Sequence, residues 1–296
     1  MAGIYIHIPF CKQACTYCNF HFSTNLDLQN DFTAALLKEI TLRKAYIKGE
    51  IIETIYFGGG TPSMLSPQAI YEILGSVTNQ FSIAQNPEIT LETNPDDIDM
   101  HHLEEWKKAG INRLSIGVQS FFSEDLVWMN RAHTGEQAVQ AVEDSRKAGF
   151  DNFSLDLIYG SPLLSDEKWD SNLQRAISLE PAHISCYALT VEPKTVLYNM
   201  IKTNKSVAVD PDKQAGQFLT GIQKLEAAGF EHYEISSFAR PGKRSRHNSS
   251  YWQSKKYLGL GPSAHSFDGN SRQWNIANNA LYIQSQKGGT LNFETE

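Results

Sequence analysis

Cys11, Cys15 and Cys18 put three thiols within eight residues of one another, and Cys186 is the only other cysteine in the 296-residue chain. Clustered thiols are soft ligands suited to zinc or to iron and sulfide, and a disulfide framework would space them more widely. Structural zinc takes four ligands, usually as two pairs, so a zinc knot would need His7 or His21 to complete it. Three thiolates suit a four-iron core better, holding three irons and leaving the fourth open. Cys186 lies in an apolar run and reads as a packed residue.

Other polar groups follow short apolar runs. Gly58-Gly59-Gly60-Thr61-Pro62, Glu92-Thr93-Asn94-Pro95 and Gln119-Ser120 each come at the end of one, and Asp156 stands within another. The triple glycine matches no Walker or Rossmann pattern, but it would let a ligand approach the backbone.

The elements that must position these groups are legible as an alternation. Apolar runs begin with Ile4, Ile6 and Ile8 and recur at 52–57, 89–91, 114–118, 153–158 and 184–189, each of strand length. Between them lie helical patterns. Phe32, Leu36 and Ile40 form a stripe. Ser66-Pro67, Asp99, a Thr134/Gln137 capping box and Asp210-Pro211 read as helix starts, and Gly110, Gly149 and Gly229 as stops. The expected fold class is α/β, with a parallel sheet of right-handed βαβ units curved into a barrel or wound flat. In either form the carboxyl ends of the strands build the site. Residues 240–273 are expected to be loops and short helices, and 288–293 a linker or frayed tail.

The composition, 41% apolar and 20% charged, excludes collagen, coiled coil and bulk disorder. A net charge of −7 argues against a nucleic-acid partner. No apolar run reaches the length of a membrane span, and the start lacks the basic region of a signal peptide, so a cytoplasmic location is expected.

With Tyr17 just before the third cysteine, Cys-x3-Cys-x2-Cys resembles the motif of the radical S-adenosylmethionine superfamily. The segments Tyr5-Ile6-His7-Ile8-Pro9-Phe10-Cys11, Gly58 to Ser63, Glu92 to Pro95 and Gly117 to Ser120 resemble the oxygen-independent coproporphyrinogen III oxidase family. The likeness runs from residue 3 to about 270. It implies a partial (β/α)6 barrel over 1–235 and, over 236–296, the start of a truncated C-terminal region. It also implies a [4Fe-4S] cluster on Cys11, Cys15 and Cys18, with S-adenosylmethionine chelated at the open iron. Tyr5 and Tyr17 would then contact the nucleoside, Gly59, Gly60 and Thr61 the methionine end, and Glu92 the ribose hydroxyls. Gln119, Arg131 and Asp156 match positions associated with a second S-adenosylmethionine, although Arg131 could equally make a surface salt bridge.

Two features resemble the non-oxidase, heme-chaperone branch of that family. Phe20 stands where the oxidases carry a further cysteine. His247-Asn248-Ser249-Ser250-Tyr251-Trp252 is similar to the His-Asn-x-x-Tyr-Trp signature linked there to heme. The resemblance implies heme as a ligand, with His247, Asn248, Tyr251 and Trp252 at its site and nearby Arg and Lys residues for its propionates. It also implies a hemoprotein acceptor, with a respiratory membrane protein that the chain would meet peripherally as one candidate. The alternative is a radical enzyme acting on a porphyrinogen or another substrate.

Overall fold

The computed structural model describes residues 1–296. Six strands run parallel in chain order: β1 (Ala2–Ile8), β2 (Ile51–Gly59), β3 (Ser82–Thr93), β4 (Arg113–Gln119), β5 (Phe153–Tyr159) and β6 (His183–Ala188). Helices α1 (Gln29–Leu42), α2 (Pro67–Gln80), α3 (Met100–Ala109), α4 (Ser123–Trp128), α5 (Gly135–Lys147) and α6 (Asp166–Ser178) fill the crossovers. The local stop and start signals act as the sequence implies. Ser66, Asp99 and Thr134 accept N3 backbone N–H groups, Asp210 accepts those of Asp212 and Lys213, and Gly110 takes a left-handed turn at φ 106°.

The two faces of the sheet differ in chemistry. Ile4, Ile6, Ile55, Phe57, Leu91, Leu114, Ile116, Leu155, Leu157 and Ile184 belong to one core cluster with the helices. The alternate residues are polar or small: Gly3, Tyr5 and His7; Thr54, Tyr56 and Gly58; Glu88, Thr90 and Glu92; Arg113 and Ser115; Ser154 and Asp156; His183 and Ser185. Side chains alternate across a strand, so this second set shares the inner face.

After β6 come α7 (Val196–Lys202), α8 (Pro211–Ala227), β7 (Glu231–His232), β8 (Ser237–Ala239) and α9 (Arg246–Trp252). The chain ends in β9 (Lys256–Leu260), β10 (His265–Phe267), β11 (Arg272–Asn275), α10 (Asn279–Lys287) and β12 (Phe293–Thr295). The 12 strands form one open sheet, with β8 and β7 beyond β6 and β9 to β12 beyond β1. Curvature follows from the segment at the start of α9. Ser245 N–H bonds Tyr233, whose hydroxyl meets His183 on β6, while His247 bonds Thr54 on β2. Strands four places apart lie roughly 19 Å from each other in a flat sheet, so the sheet must curl around this segment.

Two expectations are corrected. Residues 240–273 include β9, which pairs parallel with β1 from Ala2↔Lys256 to Ile6↔Leu260, so the segment extends the main sheet. Residues 288–292 form the expected linker, but Phe293 opens an edge strand, 293–295, antiparallel to β11. In both cases the partner strand supplies what weak local patterning does not show. Strand β3 is also longer than its apolar centre, because its polar first half pairs with β2 at Ile51 and Ile52.

Candidate cluster and nucleoside site

The cysteines occupy the loop that leaves β1. Its two ends are tied together by Cys11 N–H to Ser23 O at 3.0 Å and Ser23 N–H to Pro9 O at 2.9 Å. The tip is braced from the β4–β5 crossover, where Gln13 donates to Asn130 O at 2.8 Å and Asn130 donates back to Ala14 O at 2.7 Å. All three cysteines are half-buried and line one cavity of about 610 Å3. Burial is the main cause that raises the Cys11 and Cys18 thiols, Cys18 to about 11, and the neighbouring thiols push the same way. A bound cationic core reverses that balance.

The donor set fits an iron–sulfur core. Thr61 Oγ1 donates to Cys11 Sγ at 3.5 Å and Arg131 Nη1 to Cys15 Sγ at 3.4 Å, the kind of contact that steadies ligating thiolates. The three sulfurs line one mouth. A zinc ion would draw all its ligands to about 2 Å from one point, whereas a cubane is gripped at separate irons. Of the two histidines of the zinc alternative, His7 has both ring nitrogens engaged and His21 has one. His7 Nε2 meets His21 O at 2.8 Å and its Nδ1 meets Tyr5 OH at 3.2 Å, while His21 Nε2 meets Asn279 at 2.7 Å. Burial lowers His7 to a pKa of about 4, so its ring is neutral. Cys186 is buried in the core, as expected.

The triple glycine is a packing requirement first. A Cβ on Gly59, whose φ is 112°, would sit 2.6 Å from the His7 ring, and one on Gly60 would sit 2.7 Å from Phe10 O. The N–H groups expected to face a ligand are already used: Gly60 bonds Ile8 O, Thr61 bonds Phe10 O and Gly59 bonds Glu92.

Glu92 is half-buried in the cavity wall and accepts the Tyr56 hydroxyl at 2.8 Å. Burial raises its carboxyl to a pKa of about 7. Tyr56, Gly59 and Arg113 oppose that rise, and Asp156 adds to it. Asp156, also raised by burial, takes the hydroxyls of Ser115 at 2.8 Å and Ser154 at 3.1 Å. Arg131 makes no surface salt bridge. It turns inward to Asn94 Oδ1 at 2.5 Å and Gly117 O at 3.0 Å, with a buried Nε that lacks a partner. Gln119 ends β4 at φ 63°, a left-handed conformation that costs a non-glycine residue about 1–2 kcal/mol and aims the chain at the cavity.

Tyr17, Gly59, Gly60, Thr61, Glu92, Gln119, Arg131, Asp156 and the three cysteines therefore share one mouth. Phe20 stands at its rim, 67% exposed. Tyr5 lies outside the lining, stacked on Tyr56 with centroids 6.2 Å apart. His247, Asn248, Tyr251 and Trp252 also lie outside it, on α9. Tyr56 and Ser115 also belong to the lining and carry no motif, and Asn94, within the Glu92 to Pro95 segment, joins them without having been assigned a role. The only signal for Tyr56 and Ser115 is the polar alternation on the inner faces of β2 and β4.

The model of the Radical SAM superfamily matches residues 5–176. The heme chaperone HemW of Escherichia coli (strain K12) is 39% identical over 265 residues, 89% of this chain and 69% of that protein. HemW of Bacillus subtilis (strain 168) is 35% identical over 97% of this chain and 77% of its own length. This chain belongs to the radical SAM superfamily and, within it, to the HemW family. The HemW-type chain also matches the solved coproporphyrinogen III oxidase HemN of Escherichia coli, described as a radical SAM enzyme. That match has a TM-score of 0.84 at 25% identity and covers 98% of this chain and 70% of HemN. The expected α/β radical SAM fold is thus borne out. No helix of this family member is long and apolar enough to cross a membrane.

Proposed function

We propose that this chain is a heme chaperone that carries a [4Fe-4S] cluster, binds S-adenosylmethionine beside it and hands heme to a hemoprotein acceptor. The observation that carries the reading is the higher identity to HemW chaperones, 39%, than to the oxidase, 25%. Phe20 at the mouth, in place of the oxidases' additional cysteine, supports it.

Cys11, Cys15 and Cys18 would hold the cluster, which when bound supplies an open iron corner and a reducing electron. The chain's own residues do the binding. Glu92 accepts ribose hydroxyls as a carboxylate, Tyr17 lies against the base, and Gly59, Gly60 and Thr61 border the methionine end. Arg131, Gln119 and Asp156 extend the polar wall beyond them. Heme is cargo. Tyr251 and Trp252, 40% and 62% exposed, offer flat faces on α9. Arg246 and Lys255, both near Glu53, border a cleft of about 200 Å3 on the same helix and suit a carboxylate.

Heme titration of anaerobically reconstituted protein tests this reading. A shifted Soret band is expected, weaker in the double variant Tyr251→Ala, Trp252→Ala. No spectral change in the unmodified protein would refute it. Incubation with coproporphyrinogen, S-adenosylmethionine and reductant should yield no protoporphyrinogen, and turnover would move the chain to the oxidases.

A further inference from the structure

Helix α9 lies within the curve of the sheet, and its first turn is held from several sides. Glu88 on β3 accepts the N–H groups of Arg246 and His247 at 3.0 and 2.9 Å, and Ser245 caps the turn through Asn248 N–H. The His247 side chain, 1% exposed, has both ring nitrogens engaged: Nδ1 with Thr54 Oγ1 at 2.7 Å and Nε2 with Tyr251 OH at 2.9 Å. Gly3 on β1 makes room for it, because a Cβ there would lie 3.2 Å from the imidazole and 2.8 Å from Thr54 Oγ1. The imidazole stacks on Tyr56, with centroids 5.0 Å apart and planes at 27°, and Tyr56 gives its hydroxyl to Glu92.

A second run of bonds leaves the same turn on the opposite side. Ser245 N–H meets Tyr233 OH at 3.2 Å, Tyr233 meets His183 Nε2 at 2.8 Å, and His183 Nδ1 meets Ser154 Oγ at 2.8 Å. Ser154 ends the run on Asp156. With His183 protonated on Nδ1, every donor points toward the carboxylate and every acceptor is used once. Residues 245–247 therefore reach both carboxylates of the cavity wall, by separate routes.

We propose that α9 is the keel of the cavity floor, and that His247 is a positioning residue for Glu92, acting through Tyr56, and not an axial ligand of heme iron. An axial imidazole needs a free nitrogen and access to the metal. His247 has neither: it is 1% exposed, Tyr251 covers Nε2, and freeing Nδ1 would strand the buried Thr54 hydroxyl. The proposal rests on the reading of the cavity as the S-adenosylmethionine site.

The test uses the reconstituted full chain, with equilibrium dialysis of S-adenosylmethionine and heme titration on the same preparations. Tyr56→Phe keeps the ring and removes the donor to Glu92. His247→Phe keeps the stack and removes both ring hydrogen bonds. Tyr56→Phe is expected to weaken S-adenosylmethionine binding about tenfold, the scale of one hydrogen bond to a charged group. His247→Phe is expected to weaken it several-fold and to keep the Soret shift of bound heme.

In Tyr56→Phe the pH midpoint of nucleoside binding should also rise, because the variant loses a donor that favours ionised Glu92. The other groups facing Glu92 are Tyr5 on β1, Arg113 on β4, Asp156 on β5, Tyr187 on β6 and Tyr251 on α9, and all are unchanged in both variants. Unaltered nucleoside binding in either variant, or loss of the Soret shift alone in His247→Phe, overturns the proposal. Should that variant unfold, His247→Gln, which keeps a donor and an acceptor but removes the stack on Tyr56, takes its place in both measurements. If the unmodified chain binds no S-adenosylmethionine, the reading of the cavity falls first and the proposal with it.

Discussion

A carboxylate accepts two ribose hydroxyls only when it is ionised, so on the proposed reading of the cavity the protonation of Glu92 sets how tightly a nucleoside is held. Its pKa is raised to about 7 by burial. Affinity for S-adenosylmethionine should therefore hold above pH 7 and fall below it, by up to tenfold per pH unit. Glu92→Gln should bind weakly and show no such slope, and dialysis between pH 6 and 8 measures both. Glu92 itself was legible from its place at the end of an apolar run. Tyr56 was not, although it donates the bond that favours the charged form. It sits inside a run that reads as buried strand, and only the pleat reveals that its ring faces inward. Arg131 is the opposite case: its identity was legible, but the choice between solvent and the Cys15 sulfur was not, because that depends on a contact 116 residues distant.

At the scale of elements, the glycines separate two kinds of requirement. Gly60 lies against backbone atoms of the β1 exit that cannot move aside. Gly60→Ala should lower unfolding stability by about 1–3 kcal/mol and disturb cluster loading. Gly75, in the interior of α2, has open space where a Cβ would stand. Gly75→Ala should raise stability by roughly 0.5–1 kcal/mol through helix propensity alone. Urea titration of the two variants measures both signs. Helix boundaries were legible at Ser66, Asp99, Thr134 and Asp210 because caps act within three residues of the backbone they satisfy. Strand β9 escaped because its five residues contain a glycine and its parallel partner lies some 250 residues earlier.

At the scale of the whole molecule, one buried carboxylate ties the end of the chain to its beginning. Glu39 on α1 accepts Gly261 N–H at 2.8 Å, Asn275 Nδ2 at 2.6 Å and Tyr282 OH at 2.6 Å. Glu39→Ala would leave three buried donors without an acceptor and should cost about 3–5 kcal/mol, read as a lower urea midpoint and early proteolysis after residue 256. Nothing near Glu39 in the chain marks it, since a glutamate on a helix ordinarily faces water. The order of strands and helices, the thiol triplet and the polar strand ends follow from the sequence by itself, because each depends on neighbours within a few residues. Only the tertiary structure decided that the sheet curls around α9, that His247 faces Tyr56 with both nitrogens engaged, and that Arg131 turns inward to the Cys15 sulfur. Those outcomes depend on which distant groups meet after the sheet curves, and periodicity along a chain carries no record of that.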